Sequence, residues 1–465
     1  MEEGKKMHVH FIAIGGAAMH NLAIALQSTG YKVTGSDDEI QEPSLGRLRA
    51  AGLLPEKEGW FPEKIQARPD MVILGMHARQ DNPELIEAKK AGIKVVSFPE
   101  FFYEQSKNKT RVVIGGSHGK TTITSMILFV LKRAGKDFDY MVGAKVEGFD
   151  TMVRMSDAPL IILEGDEYLS SPIDRRPKFH LYRAEIALIS GIAWDHINVF
   201  PTYDEYAEQF AIFADNVPAN GRLIYCQLDP ETVRIVNASG THAKKIPYGL
   251  PEFRIENGIT IVKIPRTNRE VELQVFGEHN LMNLEGARKV CEELGVSATE
   301  FYDSISHFKG AARRLETLFR DEQIAVFRDF AHSPSKLKAT TEAVRQQFPG
   351  KKLVACMELH TFSSLNEQFL DQYKGSMDAA DIAIVYFNPH TVEHKKLEAI
   401  SAEQVRKGFG NPNLVVITDS SELRKKLESI PSLNSVFLLM SSGNFDGLSL
   451  DELIRTWTGK PMVRA

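Results

Sequence analysis

The chain has 465 residues, too many for one ordinary core, and this length predicts two to four domains. Hydrophobic residues make up 43% and charged residues 25%, the balance of a globular protein, and a net charge of −5 without a long basic run argues against a nucleic-acid partner. The longest uninterrupted apolar stretch, near Met126–Leu131, falls far short of the about 20 residues a membrane helix needs, so no membrane partner is expected. Cys226, Cys291 and Cys356 stand singly, which predicts neither a disulfide framework nor a zinc site and points to a reduced, cytoplasmic protein.

The opening run "MEEGKKMHVHFIAIGG" is basic, then apolar. Its apolar part is short and lacks a cleavage site, so it reads as a strand rather than a signal peptide. A helix, "MHNLAIALQSTG", follows and ends at Gly30, and "YKVTGSD", "DMVILGM" and "IKVVSF" continue as strands. Such alternation predicts a parallel sheet with helices on its faces. The polar stretch "YEQSKNKT" (103–110) is expected to be a linker. A second α/β region then begins, with strands at "RVVIGG", "PLIILEGDE" and "EIALISGIAWDH". Strand signals at "GRLIYC", "GITIVKI" and "REVELQVFG" precede a helix at "NLMNLEGARKVCEELG". After a boundary near Lys309, "IAVFRDF", "KLVACMEL", "DIAIVYF", "NLVVI" and "SVFLLMSSG" form a third strand–helix series.

The stretch "RVVIGGSHGKTTITSMILFV" (111–130) carries the strongest chemical signal. Glycines let a chain curl so that several N–H groups face inward, and a following helix adds the positive end of its dipole. A lysine supplies full charge to terminal phosphates, and a hydroxyl can ligate Mg²⁺. Gly116, Gly119, Lys120, Thr121 and Thr122 fit those roles, although Ile114 stands where the common phosphate loop has its first glycine. Ile123, Met126, Ile127, Val130 and Leu131 follow helical spacing, and Gly135 is a plausible stop. Glu164, Asp166 and Glu167 close one apolar strand, and Asp195 and His196 close another. Ligands gather at the carboxyl ends of parallel strands, so these groups are candidates to hold Mg²⁺ beside a γ-phosphate; the plain alternative is a set of surface charges and a helix cap. The turn "IAIGGAAMHNLAIAL", followed by "GSDDE", is a degenerate dinucleotide-type fingerprint.

Taken in order, these motifs resemble the Mur ligase family, and the resemblance spans nearly the whole chain. The family's phosphate loop, Gly-Thr-His-Gly-Lys-Thr-Thr, appears as "GSHGKTT", and "LEGDEY" and "WDH" resemble its acidic strand end and metal-binding pair. "GEHNLMN" (277–283), "GAARRLE" (310–316) and "DFAHSP" (329–334) resemble its adenine-side motif, the entry to its last domain and a nucleotide-facing strand end. The resemblance implies a three-domain α/β architecture: a Rossmann-like UDP-binding domain over 1–107, a central P-loop ATPase over 108–309, and a Rossmann-like amine-substrate domain over 310–465.

It further implies ATP and Mg²⁺ as cofactors and an ADP-forming amide ligation to UDP-N-acetylmuramate. Lys120, Glu164 and His196 would be catalytic, with Thr121, Glu164 and His196 holding the metal. Gly116, Ser117, His118, Gly119, Lys120, Thr121, Thr122, Asn280, Arg314, Asp329 and His332 would bind ATP, and Gly15, Gly16, Met19, Ser36 and Asp37 would bind UDP. Two branches of the family differ in the amine. "DEYLSSPIDRRPKF" resembles the branch that recycles the tripeptide L-alanyl-γ-D-glutamyl-meso-diaminopimelate, so the tripeptide is expected and L-alanine is the alternative. Arg175, Arg176 and Lys178 are then candidates to meet peptide carboxylates, against the plain reading of a solvated basic loop.

Several positions depart from the family pattern. Gly191 and Ala193 replace an asparagine and an acid ahead of "WDH", Ala13, Ala18 and His20 stand where glycines are common, and Ser333 replaces a second histidine. These departures keep open a nucleotide-binding regulator that has lost catalysis. A nicotinamide-dependent oxidoreductase accounts for the first glycine turn but leaves the Gly-Lys-Thr-Thr loop unexplained.

Overall fold

The computed structural model describes residues 7–256 and 258–462; the charged start of the chain lies outside them. The chain divides into two compact units. The first holds residues up to 124, 131–192 and 204–247, and the second holds 125–130, 193–203 and the chain from 248 onward.

The first unit contains a short antiparallel ribbon, Leu169–Ser171 with Asp174–Pro177, and two larger sheets. In the smaller of those two sheets, the strands Lys32–Ser36, His8–Ile12, Met71–Leu74 and Lys94–Ser97 lie side by side in that order, all parallel. The larger has seven strands in the order Lys244–Tyr248, Arg222–Cys226, Ile186–Ile189, Thr110–Gly115, Leu160–Glu164, Asp139–Met141 and Val153–Arg154. Its middle pairs are parallel, while the Val153–Arg154 edge is antiparallel. Val112, Val113, Ile114 and Ile161–Leu163 are all fully buried, as expected of strands covered on both faces, which read as continuous apolar runs. The phosphate-loop strand lies at the centre of this sheet, flanked by Leu160–Glu164 and Ile186–Ile189. Both neighbouring strands therefore deliver their C-terminal residues beside the loop.

The second unit contains a three-stranded antiparallel sheet over 253–273 and a six-stranded sheet. The six run Glu316–Arg320, Ile324–Asp329, Ser435–Met440, Lys352–Glu358, Ile382–Tyr386 and Val415–Ile417, parallel after the first antiparallel edge. Ala325 and Phe327 enter one hydrophobic cluster and Ile324 and Val326 the other, as strand alternation requires.

The helix Lys120–Arg133 has the predicted extent, and Gly135 follows it with φ +67°. Its predicted face is buried, but so are Thr124, Ser125 and Leu128, so the helix is enclosed on more than that face. The expected linker at 103–110 is largely helical. The helix Phe98–Ser106 starts at a capping box between Ser97 and Glu100 and buries Phe98, Phe101 and Phe102, so Tyr103–Gln105 form its outer face and only 107–109 separate it from the next strand. No helix among the described residues is long and apolar enough to cross a membrane.

Candidate active site

The loop after Thr110–Gly115 is shaped by two residues with positive φ, Gly116 at +132° and Gly119 at +80°. A Cβ on Gly116 would land on the Ser190 hydroxyl, so only glycine lets the loop lie against the end of the strand Ile186–Ile189. The Ser190 hydroxyl donates to the His118 carbonyl, and the Ser117 N–H donates to the Gly191 carbonyl at 3.0 Å. Ser117 Oγ also lies 2.8 Å from the Tyr206 hydroxyl. The loop is thus clamped from outside, at the N-terminus of a 14-residue helix, where backbone N–H groups and the dipole favour an anion.

Lys120 Nζ donates to the Gly116 carbonyl at 2.6 Å and to Glu167 Oε2 at 2.5 Å. Glu167 is buried and also accepts from the Tyr206 hydroxyl at 3.1 Å. Burial pushes the Lys120 ammonium down, but Glu167, Asp166 and Glu164 together outweigh it and hold the pKa above the usual lysine range. The lysine is therefore charged and folded back over its own loop, within reach of an anion bound there.

Thr121 Oγ1 donates to Glu164 Oε1 at 2.7 Å, and Glu164 Oε2 accepts from the Gly143 N–H at 2.7 Å. A hydroxyl and a carboxylate side by side at a phosphate loop are hard oxygen donors, the set Mg²⁺ prefers, so these two residues fit the ion. Asp166, two residues on, accepts instead from Lys178 Nζ at 2.6 Å. A cavity of about 340 Å³ opens here, and its lining includes Lys120, Glu164, Asp166 and Lys178 together with Gly16 and Met19.

Gly16 and Met19 belong to the N-terminal glycine turn. There the Gly15 N–H donates to Asp37 Oδ2 at 2.6 Å, and a Cβ on Gly15 would lie 2.9 Å from that oxygen. Burial pushes the Asp37 carboxyl up to about 6. The neighbouring Ser36 Oγ accepts from Lys64 Nζ at 2.9 Å. Ala13 takes φ +67° at the head of this turn, a conformation glycine adopts without strain, which accounts physically for the glycine common at that place in the family.

The remaining candidates lie in the second unit. Asn280, near the start of the helix Glu278–Glu293, donates to the Phe276 carbonyl at 3.0 Å. The Arg314 guanidinium stacks 4.5 Å over the Phe330 ring. Asp329 is buried at the end of its strand and accepts from the Leu315 and Ala331 N–H groups at 2.5 and 2.7 Å, which makes it a structural clamp as well as a candidate ligand. Burial, then Lys336, pushes His332 down to about 3, although Asp195 opposes the shift. Lys336 Nζ lies 3.9 Å from Asp195 Oδ2, and the His196 N–H donates to Asp195 Oδ1 at 2.8 Å. For Asp195, burial pushes upward, but Lys336, His196 and His332 outweigh it and leave the carboxyl below its usual range.

Sequence reasoning gave no role to Tyr206, Ser190 or Lys336, and offered Glu167 only as one of the strand-end acids that could hold Mg²⁺. Tyr206 sits on the buried face of the helix Tyr203–Asp215, where an aromatic reads as core. Of the basic run at 174–179, Arg176 is engaged on the surface with Asp174 at 2.6 Å, Arg175 is exposed, and Lys178 faces the cavity.

Comparison with known proteins adds three family matches. Residues 8–110 match the Mur ligase family catalytic domain, 114–291 the Mur ligase middle domain, and 313–443 the Mur ligase glutamate ligase domain. The UDP-N-acetylmuramate–L-alanine ligase of Sulfurihydrogenibium sp. (strain YO3AOP1) is 31% identical over 461 residues, covering 97% of this chain and 98% of its own. The enzyme of the same name from Aquifex aeolicus is 29% identical, covering 94% of each chain. Among solved structures, UDP-N-acetylmuramate–alanine ligase from Thermotoga maritima matches with a TM-score of 0.71 at 21% identity, covering 95% of this chain and 97% of that one. A murein peptide ligase from Psychrobacter arcticus matches with a TM-score of 0.67 at 23% identity, covering 98% and 100%. At these identities the structural likenesses speak to the fold.

Proposed function

The chain belongs to the Mur ligase family, ATP-dependent, ADP-forming enzymes that make amide bonds in peptidoglycan synthesis, and on that premise we propose that it joins the carboxylate of UDP-N-acetylmuramate to the α-amine of L-alanine. L-Alanine is the alternative of the two amines weighed from the sequence. It is preferred because relatives aligned along nearly the whole chain are ligases for that amine. The observation that most supports the reaction is the cavity that places the N-terminal glycine turn, Lys120 and Glu164 on one space, so that a nucleotide sugar held by the turn can reach the phosphate loop.

In this reading residues 1–107 bind UDP, through Gly15, Gly16, Met19, Ser36 and Asp37. Residues 108–309 bind ATP through Gly116–Thr122 and Asn280, and residues 310–465 bring the amine and contribute Arg314, Asp329 and His332 to ATP. Lys120 and the loop N–H groups stabilise the transferring γ-phosphoryl group, whose displacement depends chiefly on positioning and charge neutralisation. Mg²⁺ held by Thr121, Glu164 and His196 would supply further neutralisation of the phosphate oxygens. The acceptor carboxylate attacks the γ-phosphorus and ADP leaves; the amine then attacks the acyl carbon and phosphate leaves. The enzyme works in the cytoplasm, where both nucleotides are available.

A second reading, with the tripeptide as amine, is favoured by the run "DEYLSSPIDRRPKF" and the exposed Arg175 within it. It makes the same bond, because the tripeptide also begins with L-alanine. Phosphate release from ATP, measured with UDP-N-acetylmuramate and each amine side by side, tests both. Release should require acceptor and amine together and be more efficient with L-alanine. A clear preference for the tripeptide establishes the second reading, and release that ignores the acceptor overturns both.

A further inference from the structure

The cavity beside the phosphate loop presents two lysines to one space, and their surroundings differ. Lys120 is tied to the Gly116 carbonyl and Glu167, so it is committed to the loop. Glu164 is tied to Thr121 and Gly143. Lys178 comes from outside the loop. The chain leaves the strand Asp174–Pro177 and enters the short helical turn Lys178–Leu181. There the Lys178 N–H donates to the Tyr168 carbonyl at 3.0 Å, and the Phe179 N–H donates to the Asp166 carbonyl at 3.2 Å. These backbone bonds place the Lys178 Nζ 5.8 Å from the centre of the Tyr168 ring, over its face, and 2.6 Å from Asp166 Oδ2. The Lys178 side chain keeps 22% of its surface accessible, and it lines the cavity. An ammonium has three donors, and the bond to Asp166 uses one.

We propose that Lys178 receives the carboxylate of the acceptor and so determines specificity for a carboxylate-bearing nucleotide sugar, with Asp166 as the residue that positions it. The proposal rests on the acceptor assigned above. A carboxylate brought against the phosphates of ATP must be neutralised, or repulsion keeps it out. An ammonium already shared with Asp166 neutralises it in part and leaves it nucleophilic. One carboxylate oxygen attacks the γ-phosphorus as the bond to ADP breaks, while the other stays on Lys178. In the acyl phosphate that second oxygen is the carbonyl oxygen, and Lys178 then polarises it towards the amine. The basic run at 174–179, which by resemblance pointed to the amine, on this view serves the acceptor through its one inward-facing cation.

The test compares two ligands that differ at the group in question. UDP-N-acetylglucosamine lacks the lactyl carboxylate that UDP-N-acetylmuramate carries. Calorimetric titration of the full chain with each ligand is done for the wild type, Lys178→Met and Lys178→Arg, with ATP binding as the check on folding. Lys178→Met should weaken UDP-N-acetylmuramate by about 10- to 100-fold while moving UDP-N-acetylglucosamine by less than about twofold, and Lys178→Arg should recover part of the loss. Equal weakening of both ligands would mean a structural role and overturns the proposal, as does unchanged discrimination. A wild type that binds neither nucleotide sugar overturns the acceptor reading itself, a separate failure.

Discussion

The Lys120 ammonium and the Glu167 carboxylate meet at 2.5 Å, with the lysine side chain 13% exposed and the glutamate 1%. This pairing alters what a lysine substitution at the loop reports. Removing the cation leaves the Glu167 carboxylate buried without its opposite charge, while the Tyr206 hydroxyl still donates to it. Lys120→Met should therefore lose about 3–5 kcal/mol of stability and about 10²–10³-fold in turnover. Lys120→Met combined with Glu167→Gln should regain most of the stability and none of the turnover. Denaturation midpoints and phosphate release on the same samples separate the two effects, and near-normal turnover by either variant would defeat the phosphate-loop reading.

The bond from Thr121 Oγ1 to Glu164 Oε1 sets the second expectation. If these oxygens hold Mg²⁺, Glu164→Gln should raise the Mg²⁺ concentration for half-maximal rate by at least about tenfold, since neutral amide oxygens are poorer ligands for a hard cation. Asp166→Asn should leave the Mg²⁺ requirement near the wild-type value, because Asp166 faces Lys178. Mg²⁺ titrations of the two variants that move together would sink this division of labour.

These two acids show how far the sequence could be read. Their place at a strand end follows from the apolar run before them, but partner choice depends on side chains 43 residues upstream for Glu164 and 12 downstream for Asp166. The parallel strands were legible because burial on both faces leaves long apolar runs, as in Leu160–Leu163. The loop was legible because its chemistry needs glycines and a lysine at fixed offsets. The bridge from Ser117 through Tyr206 to Glu167 was not, since it joins residues from three separate segments. The helix Phe98–Ser106 was misread as partly linker because its exposed face carries the polar residues of a loop.

His332 predicts an acid-side weakness in the second unit. Its ring Nδ1 lies 2.8 Å from the Phe330 carbonyl, and burial, then Lys336, lowers its pKa from the ordinary 6.5 to about 3. The native state therefore keeps the ring neutral while the unfolded chain takes up a proton below 6.5. The stability this provides is complete above pH 6.5 and is lost as pH falls from 6.5 towards 3, by at most about 1.4 kcal/mol per pH unit. Urea midpoints between pH 7 and 4.5 should fall for the wild type and fall less steeply for His332→Gln. Parallel slopes would show that the ring is not held neutral.

Gly191 gives the last prediction, and it bears on a departure from the family pattern. Its φ of +154° lies where residues with a Cβ are strained, and a Cβ there would stand 2.7 Å from His118 Cε1 and 2.9 Å from Nε2. Its carbonyl meanwhile accepts from the Ser117 N–H at 3.0 Å, so a shift at 191 passes directly to the phosphate loop. The family's asparagine at this place thus has no room beside the His118 ring as it lies. Gly191→Ala should lose about 1–3 kcal/mol of stability through backbone strain and should raise the KM for ATP. The obstructing atoms belong to a side chain, so Gly191→Ala with His118→Ala should be more stable than the two single losses predict, and the shortfall measures the clash apart from the strain. Strict additivity of the two losses would mean that the His118 ring moves aside without cost and that φ alone demands the glycine. A Gly191→Ala variant with wild-type stability and wild-type KM for ATP would remove the physical basis for glycine at this position.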